Sequence, residues 1–129
     1  MNHSVFRGNL VLPDQILEDG CLVTSDGLID YVGPWDACPV EEQKAVKHVK
    51  GGWIAPGYID IHVHGGENAD YMDGTTEAVR IANRIHARHG TTTLFPTTTT
   101  GTPDQLERML HACLSVQENH QISDGARIG

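Results

Sequence analysis

The first fifty residues alternate short β-rich runs with turn residues. Val5 to Leu12 is interrupted by Gly8 and closed by Pro13-Asp14. Gly20 to Thr24 and Leu28 to Val32 flank Ser25-Asp26-Gly27, whose Asp-Gly pair can supply the positive φ of a tight hairpin. Gly33-Pro34 ends the third run, a polar stretch around Glu41, Glu42 and Lys44 follows, and Ala45 to Val49 reads as one more strand before Gly51-Gly52. This pattern predicts a small antiparallel sheet over residues 1–54.

From Trp53 the texture changes. Ala55-Pro56-Gly57 is a turn, and Tyr58 to Val63 is apolar enough for a parallel strand buried on both faces. A glycine-rich loop, Gly65 to Gly74, leads to a helix starting at Thr75 or Thr76. Ala78, Ile81, Ala82 and Ile85 form its apolar stripe, with Arg80, Arg84 and Arg88 on other faces. Gly90 stands where a C-terminal cap is wanted, and Arg88 and His89 complement the dipole of the last turn. Thr91 to Pro96 is the second strand. In Thr102-Pro103-Asp104-Gln105 a capping Thr, a first-turn Pro and a capping-box Gln announce the next helix. Leu106, Met109, Leu110, Cys113 and Leu114 are its expected inward stripe, and it should fade near Asn119-His120. Ala126 to Gly129 opens a third strand. Strand, helix, strand, helix, strand implies parallel pairing through right-handed crossovers. The pattern stops in mid-unit.

Composition narrows the function. Of 129 residues, 39% are hydrophobic and 20% charged, as in a folded protein. With 17 acidic and 9 basic side chains the formal charge is −8, and no Lys/Arg run offers a footprint for nucleic acid. No apolar run approaches the roughly 20 residues of a membrane span, and MNHSVFRGN lacks the apolar core of a signal peptide, so the expectation is a cytoplasmic protein. Cys21, Cys38 and Cys113 are odd in number and widely spaced, which reads as free thiols rather than a disulfide framework or a zinc ribbon.

Eight histidines remain to be explained, and two stand out. In Tyr58-Ile59-Asp60-Ile61-His62-Val63-His64-Gly65-Gly66, strand alternation puts Asp60, His62 and His64 on one face and Ile59, Ile61 and Val63 on the other. Two neutral imidazoles at the C-terminal end of a parallel strand can bind a divalent metal, and α/β barrels place their active sites at that end. Asp60, one pleat deeper, is placed to orient a ligand or brace a loop. The competing reading is a hydrogen-bonded core pair without metal; the preceding Pro56-Gly57 turn, the apolar opposite face and the following glycines favour the metal. Zinc takes three or four protein ligands, so the pair is only part of a site.

Other polar residues weigh less. Glu67, Asp70 and Asp73 are candidate ligands or substrate contacts, although Asp73 more simply favours the positive end of the following helix. Gly65 and Gly66 permit close approach to a ligand and serve equally well as a turn. Thr97 to Thr100 form a loop at the same sheet edge as His64, with hydroxyls for a polar ligand. His86 and His89 sit three apart on a helix, His111 and His120 are expected to be solvated, and His3 and His48 offer nothing specific.

The segment PGYIDIHVHGG resembles the metal-binding first barrel strand of the amidohydrolase superfamily. Within it, HVHGGENADYMDGT and ARHGTTTLFPTTTT are similar to the N-acetylglucosamine-6-phosphate deacetylase family, over about Trp53 to Gly129; Glu67 stands where that family's loop is expected to have a glycine. The resemblance implies the N-terminal portion of a metal-dependent (β/α)8 TIM barrel, residues 55–129, beside a small β-sandwich to which residues 1–54 contribute strands. A complete barrel of this kind has roughly 250 residues, so the chain is expected to be truncated. The resemblance further implies that His62 and His64 hold a divalent metal, zinc or iron, in a site of one or two ions, with Asp60, Gly65 and Gly66 in support. A glutamate and two more histidines would complete the ligands, and an aspartate would exchange protons, all beyond Gly129, so no catalytic residue is expected within the chain. The implied reaction is hydrolysis of a phosphorylated N-acetyl amino sugar to acetate and the amino-sugar phosphate, by a homo-oligomer acting on neither nucleic acid nor membrane. Two alternatives are a dihydroorotase-like or hydantoinase-like cyclic amidase and a non-catalytic α/β module that needs a partner.

Overall fold

The computed structural model describes residues 3–39, 41 and 46–129, the side chains of 46–51 excepted, as two compact units, Met1–Pro56 and Gly57–Gly129. The polar stretch at Glu42 and Lys44 lies outside the described residues.

The first unit is a four-stranded sheet built from β1 (His3–Val11), β2 (Ile16–Ser25), β3 (Leu28–Pro34) and β4 (Val46–Ile54), in the order β3-β2-β1-β4. Ser25 pairs with Leu28 across Asp26 and Gly27, whose φ values of 50° and 85° make the tight turn that the Asp-Gly pair calls for. Val5, Cys21, Val23 and Cys38 form the core, with Tyr31 and Trp35 packed against it. Arg7 forks onto both carboxylate oxygens of Asp19 and lies over the Trp35 ring, 4.3 Å from its centre.

The expected all-antiparallel sheet is corrected at β4, which runs parallel to β1. After β3 the chain turns through a 3-10 segment, Trp35–Ala37, and β4 begins opposite Val5, near the start of β1. Nor does Gly51-Gly52 end the strand. Register jumps from Arg7 opposite His48 to Asn9 opposite Trp53, so the glycines fall in a bulge and pairing resumes beyond them.

The second unit is a parallel sheet of β5 (Tyr58–Val63), β8 (Thr91–Pro96) and β9 (Arg127–Ile128), ordered β5-β8-β9. Helix α1 (Thr76–Arg88) connects β5 to β8, and helix α2 (Pro103–Glu118) connects β8 to β9. Both start where the capping residues demand: the Thr75 hydroxyl accepts from Ala78 N–H, and Thr102 and Gln105 cap each other reciprocally with Pro103 in the first turn. Between β5 and α1 the glycine-rich loop folds into a two-stranded ribbon, β6 (Gly65–Gly66) and β7 (Ala69–Asp70), and a 3-10 turn, Tyr71–Asp73.

Val63, Tyr71, Val79, Ala82, Leu94, Met109, Ala112, Cys113, Val116 and Ala126 form this unit's core. Three expectations about its faces are corrected. Among the described residues β5 pairs with β8 alone, and it is not buried on both faces: Tyr58, Ile59 and Ile61 are exposed, Ile61 at 77%, while Val63 is buried. On α1 the buried face is Ala78, Val79, Ala82 and Asn83, because Tyr71 reaches Asn83 from below while Ile81 and Ile85 are half-buried. On α2 the buried residues are Met109, Ala112, Cys113 and Val116; Leu110 and Leu114 sit on the adjoining face and are exposed. No helix among the described residues is long and apolar enough to cross a membrane.

Candidate functional site

The site forms where β5 and β8 end. Their parallel pairing brings the Thr97 backbone beside the end of β5, and Thr97 N–H bonds to Val63 O at 2.7 Å. His62 and His64 leave the strand on the same side, as alternation requires, with their rings edge to face and 4.8 Å apart. His64 is half-buried and its Nδ1 lies 2.9 Å from Thr97 O. His62 is exposed, and neither of its ring nitrogens has a hydrogen-bond partner among the described residues. Asp60 turns back onto its own strand, its Oδ1 accepting from His62 N–H at 3.1 Å, and so braces the backbone that carries the first imidazole.

The loop that follows is tied down by its own residues. A Cβ on Gly65 would stand 2.1 Å from Ala69 O, so this glycine serves the close approach of β7. Glu67 and Asn68 sit at the ribbon's tip with φ of 52° and 61°, the left-handed region that a glycine would occupy freely. That accounts for the glycine expected at position 67. The Glu67 carboxylate lies 3.7 Å from Arg88 rather than toward the histidines. Asp70 and Asp73 cap the 3-10 turn reciprocally, Oδ1 of Asp70 accepting from Met72 N–H and Oδ2 of Asp73 from Asp70 N–H. Asp73 therefore caps this turn.

Beneath the loop Tyr71 is fully buried, and its hydroxyl donates to Asn83 Oδ1 at 2.9 Å. Burial first, then the neighbouring Cys113 and Asp60, push the Tyr71 hydroxyl far above its ordinary value, so it remains a donor. Burial likewise pushes the Cys113 thiol up to about 11. Asn83 Nδ2 is buried without a partner.

The remaining histidines separate. His86 Nε2 lies 3.0 Å from Gly65 O, and His89 Nδ1 lies 2.8 Å from Ile85 O, so the two make no joint site. His120 is half-buried, with Nε2 3.3 Å from Gly125 O, which corrects the expectation that it is solvated. His111 is exposed, His3 pairs with the Ser25 hydroxyl, and the His48 side chain lies outside the described residues. Cys21, Cys38 and Cys113 are all buried, with no disulfide between them. Sequence reasoning missed the Thr97 carbonyl, a backbone atom with no residue signature, and weighed His86 only as a possible ligand paired with His89, not for its contact with Gly65 O.

Two imidazoles side by side at the open end of a parallel strand, one held through Nδ1 and the other unengaged, fit two of the ligands of a divalent cation. Among the described residues no group of three His, Cys, Asp or Glu completes such a site.

No family model matches the chain. An imidazolonepropionase of Pseudomonas fluorescens (strain Pf0-1) is 33% identical over 94 residues, covering 70% of this chain and 23% of that protein. An N-acetylglucosamine-6-phosphate deacetylase of Lysinibacillus sphaericus is 36% identical over 63 residues, 49% of this chain and 16% of that one. In three dimensions the N-acetylglucosamine-6-phosphate deacetylase of Pasteurella multocida superposes with a TM-score of 0.82 at 16% identity, over 93% of this chain and 32% of that one. A variant of the Mycobacterium smegmatis deacetylase in complex with N-acetyl-D-glucosamine-6-phosphate gives 0.76 at 23% identity, over 92% and 30%. The chain thus spans about a quarter of the length of the first curated relatives and a third of the solved structures.

The fold is that of the N-terminal third of the solved deacetylase structures. In sequence and in fold the chain resembles the amidohydrolase superfamily, and specifically the N-terminal part of N-acetylglucosamine-6-phosphate deacetylases. Its homologues are hydrolases of that superfamily.

Proposed function

We propose that these residues supply the first metal-binding strand of an N-acetylglucosamine-6-phosphate deacetylase, which hydrolyses the acetamide to glucosamine 6-phosphate and acetate in the cytoplasm. The observation that carries this reading is the His62–His64 pair at the C-terminal end of β5, rings 4.8 Å apart, with Nδ1 of His64 bound to a backbone carbonyl. The similarity of both units to deacetylase structures and the 36% identity to a deacetylase support the substrate.

In this reading His62 and His64 hold a zinc or iron ion, with further ligands on later barrel strands. When bound, such a cation would supply polarisation of the scissile carbonyl and a lowered pKa for water. The chain's own residues set the geometry. Asp60 fixes the peptide of His62, Thr97 fixes the ring of His64, and the ribbon at Gly65 to Asp70 closes against α1 behind them. Tyr71, locked to Asn83, and its backbone N–H, bonded to His64 O, anchor that ribbon to the core.

Acetate release from N-acetylglucosamine 6-phosphate by a complete barrel that carries these residues as its N-terminal part, supplied with zinc or iron(II), is the test. His62→Ala and His64→Ala are each expected to lower kcat/KM by at least about 100-fold. Turnover of a cyclic amide with no acetate from the amino sugar would overturn the substrate. With two imidazoles in place of three or four ligands, the 129 residues alone should bind zinc weakly and release no acetate; tight stoichiometric zinc with acetate release would sink that division of labour.

A further inference from the structure

A carbonyl oxygen only accepts hydrogen bonds, so the 2.9 Å contact between Thr97 O and His64 Nδ1 requires Nδ1 to carry the proton. Neutral His64 then has its lone pair on Nε2. By the same reasoning Nε2 of His86 carries a proton and donates, at 3.0 Å, to Gly65 O, the carbonyl immediately after His64. The backbone on either side is held too, because Tyr71 N–H bonds to His64 O at 2.9 Å and Thr97 N–H to Val63 O at 2.7 Å. His86 comes this close because Gly66 has no side chain. A Cβ there would stand 2.6 Å from Ile85 Cγ2 and 3.3 Å from His86 Nε2.

We propose that His86 is a positioning residue for His64: with the Thr97 carbonyl, it sets the ring in its Nε2-ligating form before any cation is present. The purpose of this arrangement rests on the metal reading above; the hydrogen bonds do not. His86 touches neither cation nor substrate. It acts through the Gly65 peptide, whose freedom would otherwise let the His64 ring leave Thr97. Groups that orient a metal's histidines are worth roughly 10- to 100-fold in affinity, because the ring needs no reorientation on binding.

The test uses the 129-residue chain labelled with 15N at histidine, observed in two-bond 1H–15N spectra without metal at about pH 8, above the ordinary imidazole range. His64 is expected as one Nδ1-protonated tautomer, and His62 as a mixture of both. His86→Ala should let His64 average between tautomers and weaken zinc(II) binding roughly tenfold. His86→Gln, whose amide N–H can still donate to Gly65 O, should restore both. Gly66→Ala, whose Cβ would crowd Ile85 and press on His86 Nε2, perturbs the His86–Gly65 contact without removing the imidazole and should move His64 in the same direction as His86→Ala, which covers the case in which the latter does not fold. Nε2-protonated or averaging His64 in the wild-type chain, or a His64 signal indifferent to both His86→Ala and Gly66→Ala, overturns the proposal. Zinc(II) that shifts neither imidazole overturns the metal reading instead, and the tautomer result then still decides the role of His86.

Discussion

In the N-terminal unit β2 meets β3 across a two-residue turn, whereas β5 meets β8 only after a 13-residue helix has carried the chain back. The cores differ accordingly. Among the described residues the core cluster of the first unit is Val5, Cys21, Val23 and Cys38, whereas that of the crossover unit has ten residues from four elements and the intervening turns. Closing a long connection costs chain entropy before any strand contact is made, so the parallel unit needs apolar burial by its helices to offset it. The sheet that can carry a site at its strand ends is therefore one that depends on packing by its helices.

Core truncation should show this contrast most strongly. Leu94 and Val5 are both fully buried, one under the helices and one in the hairpin sheet. Leu94→Ala is expected to cost about 3 kcal/mol and Val5→Ala about 2 kcal/mol, measured by urea unfolding. A larger loss at Val5 would break the comparison.

Next comes a buried polar pair of the crossover unit. Tyr71→Phe removes the hydroxyl that satisfies Asn83 Oδ1 and leaves a second unpaired atom beside the already orphaned Nδ2. The expected loss is about 2 kcal/mol in thermal unfolding, partly recovered by adding Asn83→Leu.

Alkaline titration probes the crossover core through its buried acids. The folded Cys113 thiol sits at about 11 against an ordinary value of 9.0. Between these the unfolded chain gives up its proton first, so stability holds below about pH 9, falls as pH rises, and levels off near pH 11, a loss on the order of 2 kcal/mol. Tyr71, also raised, extends the fall to higher pH. Cys113→Ala should remove the earlier part of the decline, and an unchanged profile in that variant would assign it elsewhere.

The smallest effect is expected at the ribbon tip. Glu67→Gly relieves a left-handed backbone but loses an exposed ion pair to Arg88 and adds freedom to the unfolded chain. A net gain of about 0.5 kcal/mol is expected by the same unfolding assay, and a loss would mean that the ion pair outweighs the strain.

Features governed by local chemistry were legible from residues alone. Asp26-Gly27 made its turn, Thr102-Pro103-Asp104-Gln105 made its cap, and Thr91–Pro96 formed a strand with the expected bounds. The shared face of His62 and His64 follows from alternation. What depended on neighbours was not legible. Whether Ile61 or Leu110 is covered depends on what lies against β5 and α2, and a periodic stripe on α1 cannot tell which flank Tyr71 will occupy. Within the site, the Thr97 carbonyl had no signature at all, because every residue carries a carbonyl.

One feature of α1 bears on the order in which the molecule assembles. Arg80 reaches the buried carboxylate of Asp124 at 3.2 Å, Asn83 O accepts from Ala126 N–H at 3.1 Å, and Gly125 lies against the Arg84 backbone. These contacts join residues some forty positions apart and meet just before β9, which pairs with β8 through only two residues. The helix thus acts as a ruler for the strand. Because α1 must already stand in place for that ruler to be read, β9 is expected to dock late in folding. Substitutions at Asp124 should accordingly hasten unfolding while leaving the rate of folding nearly unchanged.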